Sequence, residues 1–525
     1  MFASMASAGD YQILSKHPDF VKLLPEKVSQ QHMKQASLGQ SEALVALHYI
    51  DINLNGLNII KGEKGQFLNI KNTQMSGQQI SIQLPNISKP VLLNVKNVQN
   101  LIKGEEVVTY TGHVGDGLYD FFILSMSADG VMAKINYGKY IYIIQPLKNS
   151  SQKHSVAQLE KRLIFKGNAN DVIDEKEINK VINHVNNSGS GSGRVDILFY
   201  YASDVWWPSL FVSGIVSEMN AALDRSGVSS SNYISSVGLI ATGTNFSGQC
   251  NEEIIKNEMV LRNGVFSNID QEMTTYGADL AFTITGDNSA SNCYAGISGR
   301  VYGWAYAMNS TLPFAIVPQA YTLSNLTALH EIGHNLGGKH SNQWFWSNVV
   351  PQTARGKTFS VGLDAKQTIM GAYDTAPCYF TGWNSDCERI GYFSNPSITY
   401  SGVTIGHSSR NMKSGLNTSM PIVSGWRGAP IPPPNAPNPV SLTPSLCYGL
   451  NTINWTAQSG ATEYKLYKST NSNFTAPTLQ YTGSNTATTV NVNWGVWYLR
   501  AKACNASGCS AYSNQVAAYR INSCL

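Results

Sequence analysis

His330-Glu331-Ile332-Gly333-His334-Asn335-Leu336-Gly337-Gly338-Lys339-His340 spells H-E-x-x-H-x-x-G-x-x-H without a mismatch. On a helix, a spacing of four sets His330 and His334 one above the other on a single face. Two imidazole nitrogens can then reach one Zn²⁺ at roughly 2.0–2.1 Å. Glu331 lies beside the metal and not on it. A third ligand six residues further on cannot sit on the same straight helix, so the helix must stop and the chain must turn back. Gly337 stands where that turn is needed, because glycine enters the left-handed region at little steric cost. His340 completes a three-histidine set. Three protein ligands leave a fourth position for water, whose pKa zinc lowers toward 7, and Glu331 is placed to take its proton. An ordinary amphipathic helix accounts for Leu326, Leu329, Ile332 and Leu336. It does not account for three histidines in register in a chain that holds only ten in 525 residues.

Outward from this stretch, Thr368-Ile369-Met370-Gly371 puts a methionine 30 residues after His340. Motif and methionine together resemble the metzincin metallopeptidases, whose second mark is a methionine turn beneath the metal. The resemblance implies a zinc endopeptidase in which Met370 packs under the histidines without ligating. Before the motif, Val195–Tyr201 reads as a strand, Val212 to Ser226 as a helix and Ile234 to Thr242 as a strand. A charged helical stretch at 251–262 and a buried strand at 278–284 follow. Alternation of this kind argues an α/β sheet. Asn220, Ser226-Gly227, Tyr276-Gly277-Ala278-Asp279-Leu280 and Asn292-Cys293-Tyr294-Ala295-Gly296 extend the likeness to bacterial reprolysin-like, adamalysin-type catalytic domains over 194–427. Gly303, Trp304, Ala305 and Tyr306 then correspond to an antiparallel edge strand above the cleft, to which a peptide can add by main-chain hydrogen bonds. An edge strand that binds nothing is the plainer reading. Tyr373 follows Met370 by three positions, where the metal-side tyrosine of astacins and serralysins follows by two, so it reads as pocket wall. Ser341 stands where adamalysins usually carry Asp and matrixins Ser. The 30-residue gap to Met370 and Tyr392-Phe393-Ser394-Asn395-Pro396 look reprolysin-like. His407 reads as a surface residue.

Residues 1–187 are β-rich, with strands at 107–112, 119–125, 130–135 and 139–144 and no catalytic constellation. Their order resembles the prodomain of reprolysin-like peptidases, which implies an inhibitory role. No cysteine precedes Cys250, so a thiolate cannot silence the zinc. His113-Val114-Gly115-Asp116-Gly117 is similar to the Gly-Asp switch of astacin prosegments and makes Asp116 a candidate fourth ligand, although Gly and Asp are also common turn residues. A polar helix is expected at 174–187. Residues 188–193, alternating Ser and Gly, read as a flexible linker open to proteolysis, with Lys161-Arg162 as a second site. Residues 429–439 are a semi-rigid proline-rich linker. Short alternating strands over 440–525, with Trp455 in the second, resemble a fibronectin type III β-sandwich, a fold that does not settle what is bound.

The expected fold is therefore multidomain: a β-rich prodomain (1–187), a linker, an α/β metzincin domain (194–428) with a mixed twisted sheet and active-site helix, and a C-terminal β-sandwich (440–525). Charged residues make up 13% of the chain, about half the usual share, a balance associated with exported bacterial proteins. A net charge of +4 without a basic run gives no warrant for nucleic acid as a partner, and none is expected. No stretch approaches the 18 or more apolar residues of a membrane span. The eight cysteines favour disulfides in an exported chain, with pairs expected at Cys250–Cys293, Cys378–Cys387, Cys447–Cys524 and Cys504–Cys509. Met1–Ala8 looks like the tail of a signal peptide whose front is missing, with an ordinary disordered terminus as the alternative. The expected protein is a secreted, monomeric zymogen that carries one zinc ion and cuts protein or peptide substrates. Its C-terminal domain is expected to meet a cell surface or a polysaccharide. The competing reading is a surface- or glycan-binding exported protein whose peptidase domain is a relic. An intact Glu331 argues against that, since a relic needs no general base.

Overall fold

The computed structural model describes residues 14–16, 44–52, 79–82, 84, 87–99, 107–117, 119–127, 129–147, 150–161, 191–246, 252–286, 304–305, 312–319, 326–341, 350–371, 387–427, 434–438, 440–443, 450–475, 477–492, 495–505 and 508–520. The chain forms two compact units, one of residues 1–269 with 279–426 and one of 270–278 with 427–525. The N-terminal region and the α/β region, expected as separate domains, thus share one unit.

That unit opens with nine strands: β1 (Leu14–Lys16), β2 (Leu44–Ile52), β3 (Gln79–Ile82), β4 (Val91–Gln99), β5 (Val108–Val114), β6 (Phe121–Ser127), β7 (Gly130–Tyr137), β8 (Tyr140–Leu147) and β9 (Ser150–Glu160). They pair antiparallel in the order β1-β2-β9-β8-β7-β6-β5-β4-β3. One face packs a core that includes Leu93, Phe122, Leu124, Ile135, Tyr142 and Val156. Every residue of β6 is buried, so its second face is covered too.

The cover comes from α1 (Pro208–Arg225), which stands among the next elements of the unit: β10 (Arg194–Tyr201), β11 (Tyr233–Ala241), α2 (Glu252–Leu261), β12 (Leu280–Thr285), β13 (Trp304–Ala305), β14 (Phe314–Pro318) and α4 (Thr327–Asn335). Helix α3 (Ile269–Tyr276) follows α2 in the chain but falls, from residue 270, in the second unit. The sheet runs β11-β10-β12-β14-β13, four strands parallel and β13 antiparallel at the edge. Helix α1 lies between this sheet and the N-terminal one, touching β11 on one side and β5, β6 and β7 on the other. It begins at Pro208, four residues before the expected start at Val212, because proline at the first helical position has its φ already set. Between the two layers Thr109 Oγ1 and Ser213 Oγ are 2.5 Å apart, Lys134 Nζ lies 2.6 Å from Glu218 Oε1, and the Arg225 guanidinium sits 4.0 Å over the Phe121 ring.

Three small pieces complete the unit: β15 (Thr358–Val361), β16 (Asp364–Gln367) and β17 (Glu388–Arg389) in one sheet, the hairpin β18 (Thr399–Tyr400) with β19 (Val403–Thr404), and α5 (Met412–Val423). The end of the Gly/Ser stretch is not the free linker expected. Gly191 N–H donates to Pro421 O at 2.7 Å and Gly193 N–H to Ser424 Oγ at 3.0 Å, and Gly193, at φ 87°, is buried against the end of α5. Glycine lets the backbone approach: a side chain on Gly191 would collide with Ser424, and one on Gly193 with Ser231 and Asn232. Residues 188–190 and the polar helix at 174–187 lie outside the described residues.

In the second unit β20 (Val440–Thr443), β21 (Leu450–Trp455) and β24 (Ala487–Asn491) form one sheet. The other holds β22 (Glu463–Ser469), β23 (Thr478–Gly483), β25 (Gly495–Asn505), β26 (Gly508–Cys509) and β27 (Val516–Arg520). Inward residues Ile453, Trp455, Leu466, Val490, Leu499 and Ala501 make the core, the sandwich that the alternation predicts. Cys504 and Cys509 are disulfide-bonded. Cys387 is also disulfide-bonded, while the partner expected for it and the pairs 250–293 and 447–524 lie outside the described residues. Among the described residues no helix is long and apolar enough to cross a membrane.

Candidate metal centre

All nine residues of α4 are buried, and the helix stops where the sequence demands it. Leu336 is the last cap residue and Gly337 follows at φ 86°. Gly337 N–H donates to His334 O at 2.9 Å and Gly338 N–H to Gly333 O at 2.8 Å, the paired bonds of a Schellman ending. Lys339 then pairs with the next segment, its N–H reaching Ala354 O at 3.0 Å while its carbonyl accepts from Gly356 N–H at 3.0 Å. This pins the backbone on either side of Lys339 and delivers His340 to the other two histidines.

The three Nε2 atoms converge, with separations of 2.9 Å (His330 to His340), 3.1 Å (His330 to His334) and 3.1 Å (His334 to His340). His330 Nδ1 lies 2.6 Å from Ile369 O, and His334 Nδ1 lies 2.9 Å from Gly338 O. A carbonyl can only accept, so each Nδ1 carries the proton and each Nε2 turns a lone pair inward. Lone pairs this close repel unless a cation lies between them. A triangle of this size puts all three nitrogens within the roughly 2.0–2.1 Å reach of one zinc ion. The donor set therefore fits the metal. Among the described residues, His330, His334 and His340 form a group able to hold a metal ion. Glu331, 1% exposed, sits between the first two on the helix.

Beneath the histidines, Gly371 N–H donates to Thr368 O at 2.8 Å, so residues 368–371 form a tight turn with Met370 at its third position. Met370 is fully buried, and its Sδ occupies the space that a side chain on Gly333 would need. The turn thus supplies both the floor under α4 and, through Ile369, the acceptor that orients His330. Trp304 and Ala305 form the antiparallel edge strand β13 beside α4; Gly303, Tyr306 and Tyr373 lie outside the described residues. Asp116 is not brought to the histidines. It is exposed in the turn where Gly117 N–H donates to Val114 O at 3.3 Å, and it stands outside the metal-holding group. The Gly-Asp pair serves the turn that its residue types favour. His407 Nε2 lies 2.9 Å from Arg410 Nη1, in a loop of its own.

Spacing offers no hint of the cations that collect beside His340. Burial pushes Lys339 down to about 8, with Arg355 adding to the shift. Arg410 in turn lowers Arg355, after burial, and one of its Nη2 hydrogens points to Ser341 O at 3.4 Å. These residues are far apart in sequence, and only folding gathers them.

Residues 238–341 match the model of the reprolysin-like metallopeptidase family M12B. No curated protein matches the chain. Among solved structures, metalloproteinase-II from Bacteroides fragilis is 13% identical at a TM-score of 0.32, over 51% of this chain and 82% of its own. An Fn3-like protein from Clostridium thermocellum is 22% identical at a TM-score of 0.16, over 17% of this chain and 95% of its own. The sixth fibronectin type III domain of human fibronectin type III domain containing protein 3 is 20% identical at 0.15, over 16% and 84%. The family match ends one residue past His340, so it takes in the whole three-histidine motif and the strands β12 to β14 that precede it.

Proposed function

We propose that the protein is a secreted zinc endopeptidase made as a zymogen, with residues 194–428 as the catalytic domain, His330, His334 and His340 as metal ligands and Glu331 as general base. The observation that carries this reading is the convergence of three histidine Nε2 atoms over the turn that holds Met370. Zinc bound there supplies Lewis acidity to a peptide carbonyl and to a water. Glu331, on the same helix, takes a proton from the attacking water and hands it to the leaving amine. Trp304 and Ala305 present an edge to which an extended substrate adds as a further strand, with Gly303 and Tyr306 flanking them. Residues 1–187 act as the prosegment, and the buried Lys134–Glu218 pair supports a stable seat for it on α1. Residues 440–525 are an accessory module that meets a cell surface or a polysaccharide. The test is cleavage of denatured casein by the protein after limited proteolysis, with and without a zinc chelator. The reading expects one equivalent of zinc and activity that the chelator abolishes; chelator-insensitive cleavage or a metal-free active preparation would sink it.

A further inference from the structure

Residues 440–525 hold one acid, Glu463, and five bases, Lys465, Lys468, Arg500, Lys502 and Arg520. Five positive against one negative leaves +4, the formal charge of the whole chain. Three of these bases share one face of the sandwich. In the β22–β25 register Lys465 is directly opposite Lys502 and Tyr467 opposite Arg500, while Leu466 and Ala501, between them in the register, turn into the core. Like charges directly across an antiparallel pair are destabilising. Here the only described carboxylate nearby is Glu463, 3.6 Å from Lys465 and itself 38% exposed. Two of the three are held in place by rings: Lys502 Nζ is 4.3 Å over Tyr512 and the Arg500 guanidinium 4.9 Å over Phe474. Arg500 Nε also donates to Gln515 Oε1 at 3.1 Å. Tyr512 in turn packs edge-on against Tyr467 at 5.5 Å and against Phe474 at 5.1 Å. Residues two apart along a strand are separated by roughly 7 Å, so three charges stand within a small patch, and rings set the orientation of two of them, Arg500 and Lys502, in advance.

We propose that this face of the C-terminal domain binds an anionic polysaccharide through its sulfate or carboxylate groups. Fixed cations in unfavourable proximity gain most from an external anion, and they gain it without first being ordered. The ring faces over which Lys502 and Arg500 lie are already covered, so what the surface offers a polymer is charge, not a stacking platform for bases. The Cys504–Cys509 disulfide lies at the end of the same strand. Disulfides persist in oxidising compartments, and acidic polysaccharides are among the anionic polymers met there. The proposal rests on the accessory-module reading and is independent of the peptidase.

The experiment measures binding of the full chain to immobilised dextran sulfate, polygalacturonate, neutral dextran and single-stranded oligo-dT, over a range of salt. Binding to one or both acidic polysaccharides, absent on neutral dextran and weakening with salt, is expected; which of the two binds separates sulfate from carboxylate recognition. Lys465→Gln, Arg500→Gln and Lys502→Gln should each weaken it about fivefold. Lys89→Gln, exposed on the N-terminal region, should leave it unchanged. Arg500→Lys should retain most of the affinity, because the charge is kept; equal loss in Arg500→Lys and Arg500→Gln would show that the ring contact is structural and would overturn the proposal. Equal binding to neutral dextran, tighter binding to oligo-dT, no binding at all, or equal weakening by Lys89→Gln would each overturn it too. Zinc content and peptidase activity do not enter the readout, so failure of the catalytic reading is seen separately.

Discussion

Glu331 and His334 are three residues apart on one buried helix, yet their loss should be felt in different ways. His334→Ala removes one of the three converging nitrogens, and metal analysis of the purified variant should find most of the zinc gone. Glu331→Gln leaves all three in place, so zinc should remain at one equivalent while casein hydrolysis falls about 10²–10⁴-fold, the usual share of a general base. Full metal retention in the first variant, or wild-type turnover in the second, would reverse the assignment of roles. Gly337 offers a test of the turn. At φ 86°, with the Cβ of an alanine 2.7 Å from Val350 Cγ2, Gly337→Ala should lower stability by about 1–3 kcal/mol, read as a shift in the urea midpoint. Adding Val350→Ala should recover the steric part and leave the backbone part. A midpoint unchanged in the single variant would mean that the helix can end another way.

Among the elements, α1 does the most to hold the first unit together, since it packs on the α/β sheet with one side and on β5, β6 and β7 with the other. Its second side is polar: Ser213, Glu218 and Arg225 meet Thr109, Lys134 and Phe121. Burial lowers the pKa of Lys134 and raises that of Glu218, and their mutual attraction opposes both shifts without cancelling either. Breaking such a pair costs more than removing it, because the survivor is left buried and alone. Glu218→Gln should therefore destabilise the protein by about 3–5 kcal/mol in urea unfolding, while the double change Lys134→Met with Glu218→Leu should recover most of that loss. If the double variant is as unstable as the single one, the pair matters for shape and not for charge. In the sequence, α1 is legible as a helix from its apolar spacing, and β5 to β8 as strands. Nothing in either pattern says that Lys134 and Glu218 meet, because 84 residues separate them and each looks like an ordinary surface charge in its own element.

For the whole molecule, the consequence is latency. If residues 1–187 are a prosegment, the intact chain should be inactive on casein, and limited proteolysis between about 162 and 194 should release activity. No cysteine occurs before Cys250, so mercurials have no thiolate to draw off a metal and should leave the intact chain latent. Full activity in a preparation shown to be uncut by mass spectrometry would make the N-terminal sheet a permanent accessory layer. The grouping of the three histidines, the stop at Gly337 and the alternation of strands and helices could be read from the chain because each depends on neighbours within a turn or two, where helix pitch and strand pleat fix the spacing. The proline-rich break before the sandwich is legible for the same local reason. Only folding decided that the Ile369 carbonyl orients His330, that Met370 fills the space under Gly333, that Asp116 stays at the surface, that Gly191–Gly193 pack on the end of α5, and that Lys465 faces Lys502. Those outcomes depend on which distant surfaces come together, and long-range packing and strand register leave no period in the sequence to be read.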